Sequence, residues 1–155
     1  AYRSLMFLRN PLPADDTDIG WLKGSKEDKI FEYMKPILQY IESEKNQAYA
    51  EMLIKNEQLK LDVISFIKGA NIDDTFIMCD EAEDLNVKLI KLVGSRMAKK
   101  SCIVFTGDHS QAEKKYKTNN GLLKLINEAK GNPLVGIVNL PEDLRSEASK
   151  IFADL

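Results

Sequence analysis

Two acidic motifs each follow an apolar run, and their side chains are of the types that bind a metal ion and activate water. Asp80-Glu81 follows the apolar residues 76–79 directly. Carboxylate oxygens are hard ligands that suit Mg²⁺, and a second carboxylate can take a proton from an attacking water. Four apolar residues followed by Asp-Glu have the form of a Walker B strand. We therefore interpret Asp80 as a Mg²⁺ ligand and Glu81 as the general base that activates water for attack on a γ-phosphate.

The second motif, Gly107-Asp108-His109-Ser110-Gln111, follows the apolar run 103–106. A glutamine amide can donate to a phosphate oxygen and accept from a water, so Gln111 with Asp108 would suit a γ-phosphate sensor. A second interpretation stays open, since acids often follow strands to cap the next helix or to bond a local turn. The two motifs lie about 27 residues apart with a helix predicted between them, which favours nucleotide hydrolysis.

The elements that must position these motifs alternate between apolar strands and amphipathic helices. Strands are predicted at 4–9, 61–67, 75–79, 101–106 and 134–138, and helices at about 25–41, 45–60, 87–97, 120–129 and 142–155. Pro36 should kink or split the first helix, and Ser25 with Asp28 resembles its capping box. This alternation predicts a mainly parallel α/β sheet with crossover connections. Ligands of such sheets bind beyond the carboxyl ends of the strands, which is where both motifs fall.

Composition excludes several classes of protein. The 155 residues carry a formal net charge of −2, which argues against a strongly basic nucleic-acid binder but leaves room for a local basic patch. The single histidine, His109, excludes a multi-histidine metal site. No apolar run is long enough for a membrane helix, so no membrane partner is expected. Cys79 and Cys102 lie in apolar strands and are predicted to be buried, reduced thiols of a cytoplasmic protein.

Taken together, these motifs resemble those of a known family. Asp80-Glu81-Ala82-Glu83-Asp84 resembles the Asp-Glu-Ala-Gln-Asn box of PhoH-like ATPases, which are related to the superfamily 1 helicase core. Gly107-Asp108-x-x-Gln111 resembles the motif that follows it in that family. The similarity extends along nearly the whole chain, in a form closest to phage-type members, through the segments 8–11, 20–24, 65–69, 121–122 and 140–146.

The resemblance implies a three-layer P-loop fold that binds and hydrolyses ATP with Mg²⁺. Its implied site residues are Asp80 for the metal, Glu81 and Gln111 for catalysis, and Arg9, Gly107 and Asp108 for the nucleotide. Arg96 or Arg145 would reach a γ-phosphate, in its own subunit or as an arginine finger in a neighbour's site; the alternative is that each complements a helix dipole. The resemblance also implies work on RNA or single-stranded DNA and a ring-like homo-oligomer.

The sequence also departs from the family pattern. Glu83 and Asp84 stand where the family has amides, so we expect them to add repulsion near the phosphates. No Gly-x-x-x-x-Gly-Lys-Ser/Thr motif occurs in the 155 residues. The resemblance implies that this loop follows an earlier strand. In the sheet, that strand would lie between the strands predicted at 101–106 and 134–138. We therefore expect residues 1–155 to be the C-terminal part of one ATPase domain in a longer protein, inactive alone.

Two alternatives from other classes remain. The chain could be a non-hydrolysing interaction module that keeps the P-loop fold and has lost the activity. It could also be a metal-dependent nuclease that uses Asp80, Glu81 and Asp108, cleaves RNA with Mg²⁺ alone and ignores ATP.

Overall fold

A computed structural model describes residues 1–10, 26–112 and 117–140, with the backbone alone over 26–33. Its strands are β1 (Ser4–Arg9), β2 (Leu59–Val63), β3 (Thr75–Asp80) and β4 (Cys102–Phe105), and its helices are α1 (Lys26–Glu44), α2 (Gln47–Lys55), α3 (Val87–Gly94) and α4 (Gly121–Ala129). Short 3₁₀ turns cover 64–66, 82–84 and 109–111. The four strands form one all-parallel sheet in the order β2-β1-β3-β4, which confirms the predicted α/β fold class.

One face of the sheet packs against α3 and α4. Side chains of β1 and β3 alternate between buried and half-buried, because successive residues of a strand point to opposite faces. Met6 and Leu8 from β1 and Ile77 and Cys79 from β3 belong to one buried cluster, together with residues of both helices. Helices cover both faces of a parallel sheet, which explains why these strands are apolar along most of their length.

A second set of buried side chains lies outside that cluster. Met34 and Leu38 of α1 and Ala50 of α2 are almost fully buried, as are Leu59 and Val63 of β2. Both helices contact β2, and α1 also contacts β1. Helices therefore cover the sheet in two separate groups, which agrees with the three-layer arrangement that the sequence predicts.

The prediction of a strand at 134–138 is wrong. Residues 131–140 form no helix or strand, and Leu134, Val138 and Leu140 are 92%, 82% and 84% exposed. A strand needs a neighbour to satisfy its backbone N–H and C=O groups, and β4 forms the edge of the described sheet on that side. The apolar residues of this segment therefore have no strand to pair with in the part of the chain that the structure describes.

Other element boundaries differ by a few residues. The second strand begins at Leu59 and ends at Val63, where the 3₁₀ turn 64–66 takes over. The helix predicted to reach Met97 ends at Gly94, and α1 runs through Pro36 without being split. The closing helix and the capping residue Ser25 lie outside the described residues. None of the helices that the structure describes is long and apolar enough to cross a membrane.

The two cysteines are free, and they differ in burial: Cys79 is fully buried and Cys102 half-buried. Burial and, to a smaller extent, the neighbouring Asp80 carboxylate raise the pKa of the Cys79 thiol to about 12. The thiolate is the reactive form, and at pH 8 it would be only about 10⁻⁴ of the Cys79 population.

We expect iodoacetamide to leave Cys79 unmodified in the native protein at pH 8, as measured by peptide mass spectrometry. Both cysteines should react in urea. Equal labelling of Cys79 before and after unfolding would contradict its burial.

Candidate active site

The carboxyl ends of three adjacent strands bring Arg9, the Asp80-Glu81 pair and the 107–111 segment to one edge of the sheet. Arg9 at the end of β1 lies directly opposite Asp80 at the end of β3. Strand β4 pairs with β3 in parallel, so the 107–111 segment leaves the sheet at the same edge. Both acidic motifs therefore end on one side of the sheet, as predicted from the sequence.

The carboxylate of Asp80 is held between two neighbours. Its Oδ1 atom accepts a 2.8 Å hydrogen bond from the Thr106 hydroxyl, and its Oδ2 atom lies 3.5 Å from Nη2 of Arg9. The backbone N–H of Thr106 donates to the carbonyl of Cys79 at 3.0 Å, which fixes Thr106 to the end of β3. The Asp80 side chain is still 38% exposed. It is therefore oriented by the protein while remaining open to a ligand from solvent.

Glu81 has an unusual backbone conformation. Its φ of 53° lies in the left-handed region, which costs a residue with a Cβ of order 1 kcal/mol. It directly precedes the 82–84 turn, in the N-cap position, but its side chain makes no capping hydrogen bond there. Instead its Oε1 atom forms an ion pair with Nη2 of Arg9. The helix-capping interpretation therefore does not describe this side chain.

The next two acids, Glu83 and Asp84, are buried, with 9% of each exposed. Burial raises the pKa of the Glu83 carboxyl, and the charges of Asp84 and Glu81 raise it further. Hydrogen bonds from the backbone N–H groups of Glu83 and Asp108 act in the opposite direction. The balance of these effects is a raised pKa, caused chiefly by the removal of the Glu83 carboxyl from water.

The 107–111 segment is a local polar turn built around Asp108. One oxygen of its carboxylate accepts from the backbone N–H and the hydroxyl of Ser110 at 2.9 and 2.7 Å, and the other accepts from the Gln111 amide at 2.8 Å. The Ser110 hydroxyl and then the Gln111 amide hold the pKa of Asp108 below its usual value. This arrangement matches the turn interpretation. It also holds the exposed Gln111 side chain in one orientation.

Gly107 allows the two motifs to pack against each other. A Cβ at this position would lie 2.9 Å from the backbone nitrogen of Glu83 and 3.1 Å from that of Ala82, and it would also overlap the Glu83 carboxyl group. Two of these atoms belong to the backbone, so a side-chain rotation cannot relieve the overlap. Position 107 therefore requires glycine for close approach.

Gly107→Ala is accordingly expected to destabilise the protein by roughly 1–3 kcal/mol, the usual range for overpacking. The urea midpoint of the intact protein measures this loss. Gly136→Ala is the matched control, because a Cβ there meets no atom within 4 Å. Equal midpoints for the two variants would contradict the packing of the 107–111 turn on the 82–84 turn.

Sequence reasoning missed two residues that organise this edge. Thr106 orients Asp80, and Asn120 fixes the 82–84 turn by donating from its amide to the carbonyl of Glu83 at 2.8 Å. The Asn120 side chain also accepts from the Leu123 N–H at 2.9 Å and so caps α4. An asparagine directly before a predicted helix is a capping signal, whereas its contact with Glu83 has no local sequence signal.

Of the two arginines predicted to reach a phosphate, the structure describes Arg96, and it does not lie beside Asp80. Arg96 follows α3, and its carbonyl accepts from the N–H of Ile72, upstream of the amino end of β3. It therefore lies toward the opposite end of the sheet from Asp80, so a role in its own subunit's site is not supported. Its role in a neighbouring subunit stays a prediction. Arg145 lies outside the described residues.

The chemistry of the donors at this edge can be compared with the needs of a metal ion. Among the described residues, no group of three or more His, Cys, Asp or Glu side chains could enclose a metal. Mg²⁺ does not require such a group, because it keeps several waters and uses one or two carboxylates with substrate phosphates. Asp80, oriented by Thr106 and partly exposed, fits that pattern.

The four-stranded parallel sheet with helices on its faces, and with both polar motifs at its carboxyl edge, is consistent with a P-loop NTPase-like fold. The profile of the family described as PhoH-like protein matches residues 1–153, and the chain belongs to this family.

Three relatives illustrate the relationship. The chain is 32% identical to Protein PhoH2 of Bacillus subtilis (strain 168) over 160 residues, covering 99% of the chain and 36% of that protein. It is 24% identical to Protein PhoH2 of Mycolicibacterium smegmatis over 154 residues, covering 99% and 35%. It is 19% identical to Protein PhoH of Escherichia coli (strain K12) over 140 residues, covering 89% and 40%. The chain thus spans well under half the length of these relatives.

Proposed function

We propose that this chain contributes the metal-binding and water-activating part of a site that binds and hydrolyses ATP. The observation that carries the proposal is the pair Asp80-Glu81 at the end of β3, with Asp80 oriented by Thr106 and the 107–111 turn beside it. Membership of the PhoH-like family supports the same proposal.

Each residue has a role that its contacts suit. Asp80 would hold Mg²⁺ through its partly exposed carboxylate, and the bound ion would neutralise charge on the β- and γ-phosphates. Glu81 would accept the proton of the attacking water, since its side chain is also partly exposed and its carboxylate is the next acid along the chain. The amide of Gln111, which Asp108 holds in place within the 107–111 turn, would donate a hydrogen bond to the γ-phosphate.

The phosphate-binding loop is a separate requirement. Backbone N–H groups and a lysine of that loop supply most of the contacts to the phosphates in P-loop proteins. None of the 155 residues forms that motif. We propose that another part of the protein supplies it at the edge described here. Work on RNA or single-stranded DNA and assembly into a ring stay predictions from the family resemblance.

Calorimetry on the intact protein tests this proposal. ATP should bind more tightly with Mg²⁺ than with EDTA, because Asp80 would contact the nucleotide through the ion. Asp80→Asn should remove most of that difference. Equal ATP affinity with and without Mg²⁺ would contradict the role of Asp80.

A further inference from the structure

Arg9 lies where the two functional carboxylates converge. Its Nη2 atom is 3.5 Å from Oδ2 of Asp80 and forms the closer ion pair with Oε1 of Glu81. The register of the sheet fixes this meeting, since Arg9 and Asp80 are directly opposite each other on β1 and β3. Paired residues of adjacent strands point to the same face, so the contact follows from the fold itself.

The three side chains differ in how open they are. Arg9 is 18% exposed, whereas Asp80 and Glu81 are 38% and 42% exposed. The Arg9 side chain is therefore the most buried of the three, and the two carboxylates are more open to solvent. A divalent ion approaching from solvent would meet carboxylate oxygens that already form ion pairs with the Arg9 guanidinium.

We propose that Arg9 is a built-in counter-ion of the Asp80–Glu81 pair and competes with a divalent cation for its oxygens. Two carboxylates and one guanidinium carry a net charge of −1, and without the guanidinium the same oxygens carry −2. The N–H groups of a guanidinium also occupy carboxylate lone pairs that a metal would use. Arg9 thus lowers the intrinsic metal affinity of the pair, and metal binding weakens its contact with Asp80 and Glu81.

This inference rests on the proposed role of Asp80 as a metal ligand, and it adds a consequence for turnover. With Arg9 in place, the carboxylate pair binds free cation weakly, so occupancy depends on the phosphates of the nucleotide to supply further ligands. The site would therefore fill with the metal–nucleotide complex in preference to the bare ion.

The test is binding of Mn²⁺ to the intact protein without nucleotide, followed by the loss of the free-ion electron paramagnetic resonance signal. Arg9→Gln should bind Mn²⁺ about five- to tenfold more tightly than the natural protein, in keeping with the loss of two partly exposed ion pairs. Arg3→Gln is the matched control: it removes the same charge from the amino end of the same strand and should leave the affinity unchanged. Unchanged or weaker Mn²⁺ binding by folded Arg9→Gln would overturn the proposal.

A second measurement covers the case in which Arg9→Gln does not fold. In the natural protein, the Nε–Hε resonance of Arg9, assigned through its loss in Arg9→Lys, should shift during titration with Mg²⁺. The Arg3 resonance should not shift. An unshifted Arg9 resonance at Mg²⁺ saturation would also overturn the proposal. Neither measurement requires ATP, so tighter Mn²⁺ binding by Arg9→Gln in a protein that never hydrolyses ATP would reject the proposed function and leave the counter-ion role standing.

Discussion

Replacing Glu81 with glutamine is expected to stop ATP turnover while leaving ATP binding nearly intact. Glutamine has almost the same shape as glutamate, but its amide cannot take a proton from the attacking water. Removal of a general base typically costs on the order of 10²–10⁴-fold in rate. Phosphate release and ATP binding by the intact protein, measured on the same preparation, separate the two effects.

Glu57→Gln provides a closely matched control. Glu57 is an exposed glutamate with a φ of 55°, so the same substitution is made in the same left-handed backbone conformation, just before β2. This variant should hydrolyse ATP at the natural rate. Undiminished hydrolysis by Glu81→Gln would assign Glu81 to pairing with Arg9 alone.

Asp80→Asn is expected to have the second largest effect, raising the Mg²⁺ concentration needed for turnover on the order of 10²-fold or more. Asparagine keeps an oxygen that can accept from the Thr106 hydroxyl, so the fold of this edge should survive. It lacks the charge that attracts Mg²⁺. Turnover measured against Mg²⁺ concentration gives the shift directly.

The control for that experiment is Asp73→Asn, an exposed aspartate just before the amino end of β3. It makes the same change in charge far from the candidate site, and its Mg²⁺ requirement should stay unchanged. An Asp80→Asn protein with the natural Mg²⁺ requirement would exclude Asp80 as the metal ligand.

The sequence predicts β1 and β3 well because each is a short apolar run whose side chains are buried on one face of the sheet and half-buried on the other. Ser4–Arg9 matches the predicted strand residue for residue, and β3 differs by one residue at its end. The placement of both motifs at one edge follows from parallel pairing alone. The segment 134–138 has the same apolar pattern but forms no strand. An apolar pattern alone therefore cannot reveal whether a partner strand is present.

Contacts between distant residues could not be predicted in the same way. Arg9 meets Glu81 across 72 positions of sequence because of the β1–β3 register, which no local pattern encodes. The expected repulsion between Glu83 and the phosphates stays a prediction, but the sequence did not indicate that the fold buries Glu83 against Gly107, where burial raises the pKa of its carboxyl. The contacts and burial of the side chains at this edge thus depend on how its turns pack. Only the types of these residues can be read from the sequence.

The proposed function is tested most directly by measuring phosphate release from ATP and cleavage of single-stranded RNA in parallel, with the intact protein and with Glu81→Gln. The account predicts Mg²⁺-dependent phosphate release by the natural protein, lost in Glu81→Gln while ATP still binds. RNA cleavage with Mg²⁺ alone and no response to ATP would contradict it in favour of a nuclease. ATP binding without hydrolysis by the natural protein would contradict it in favour of an interaction module.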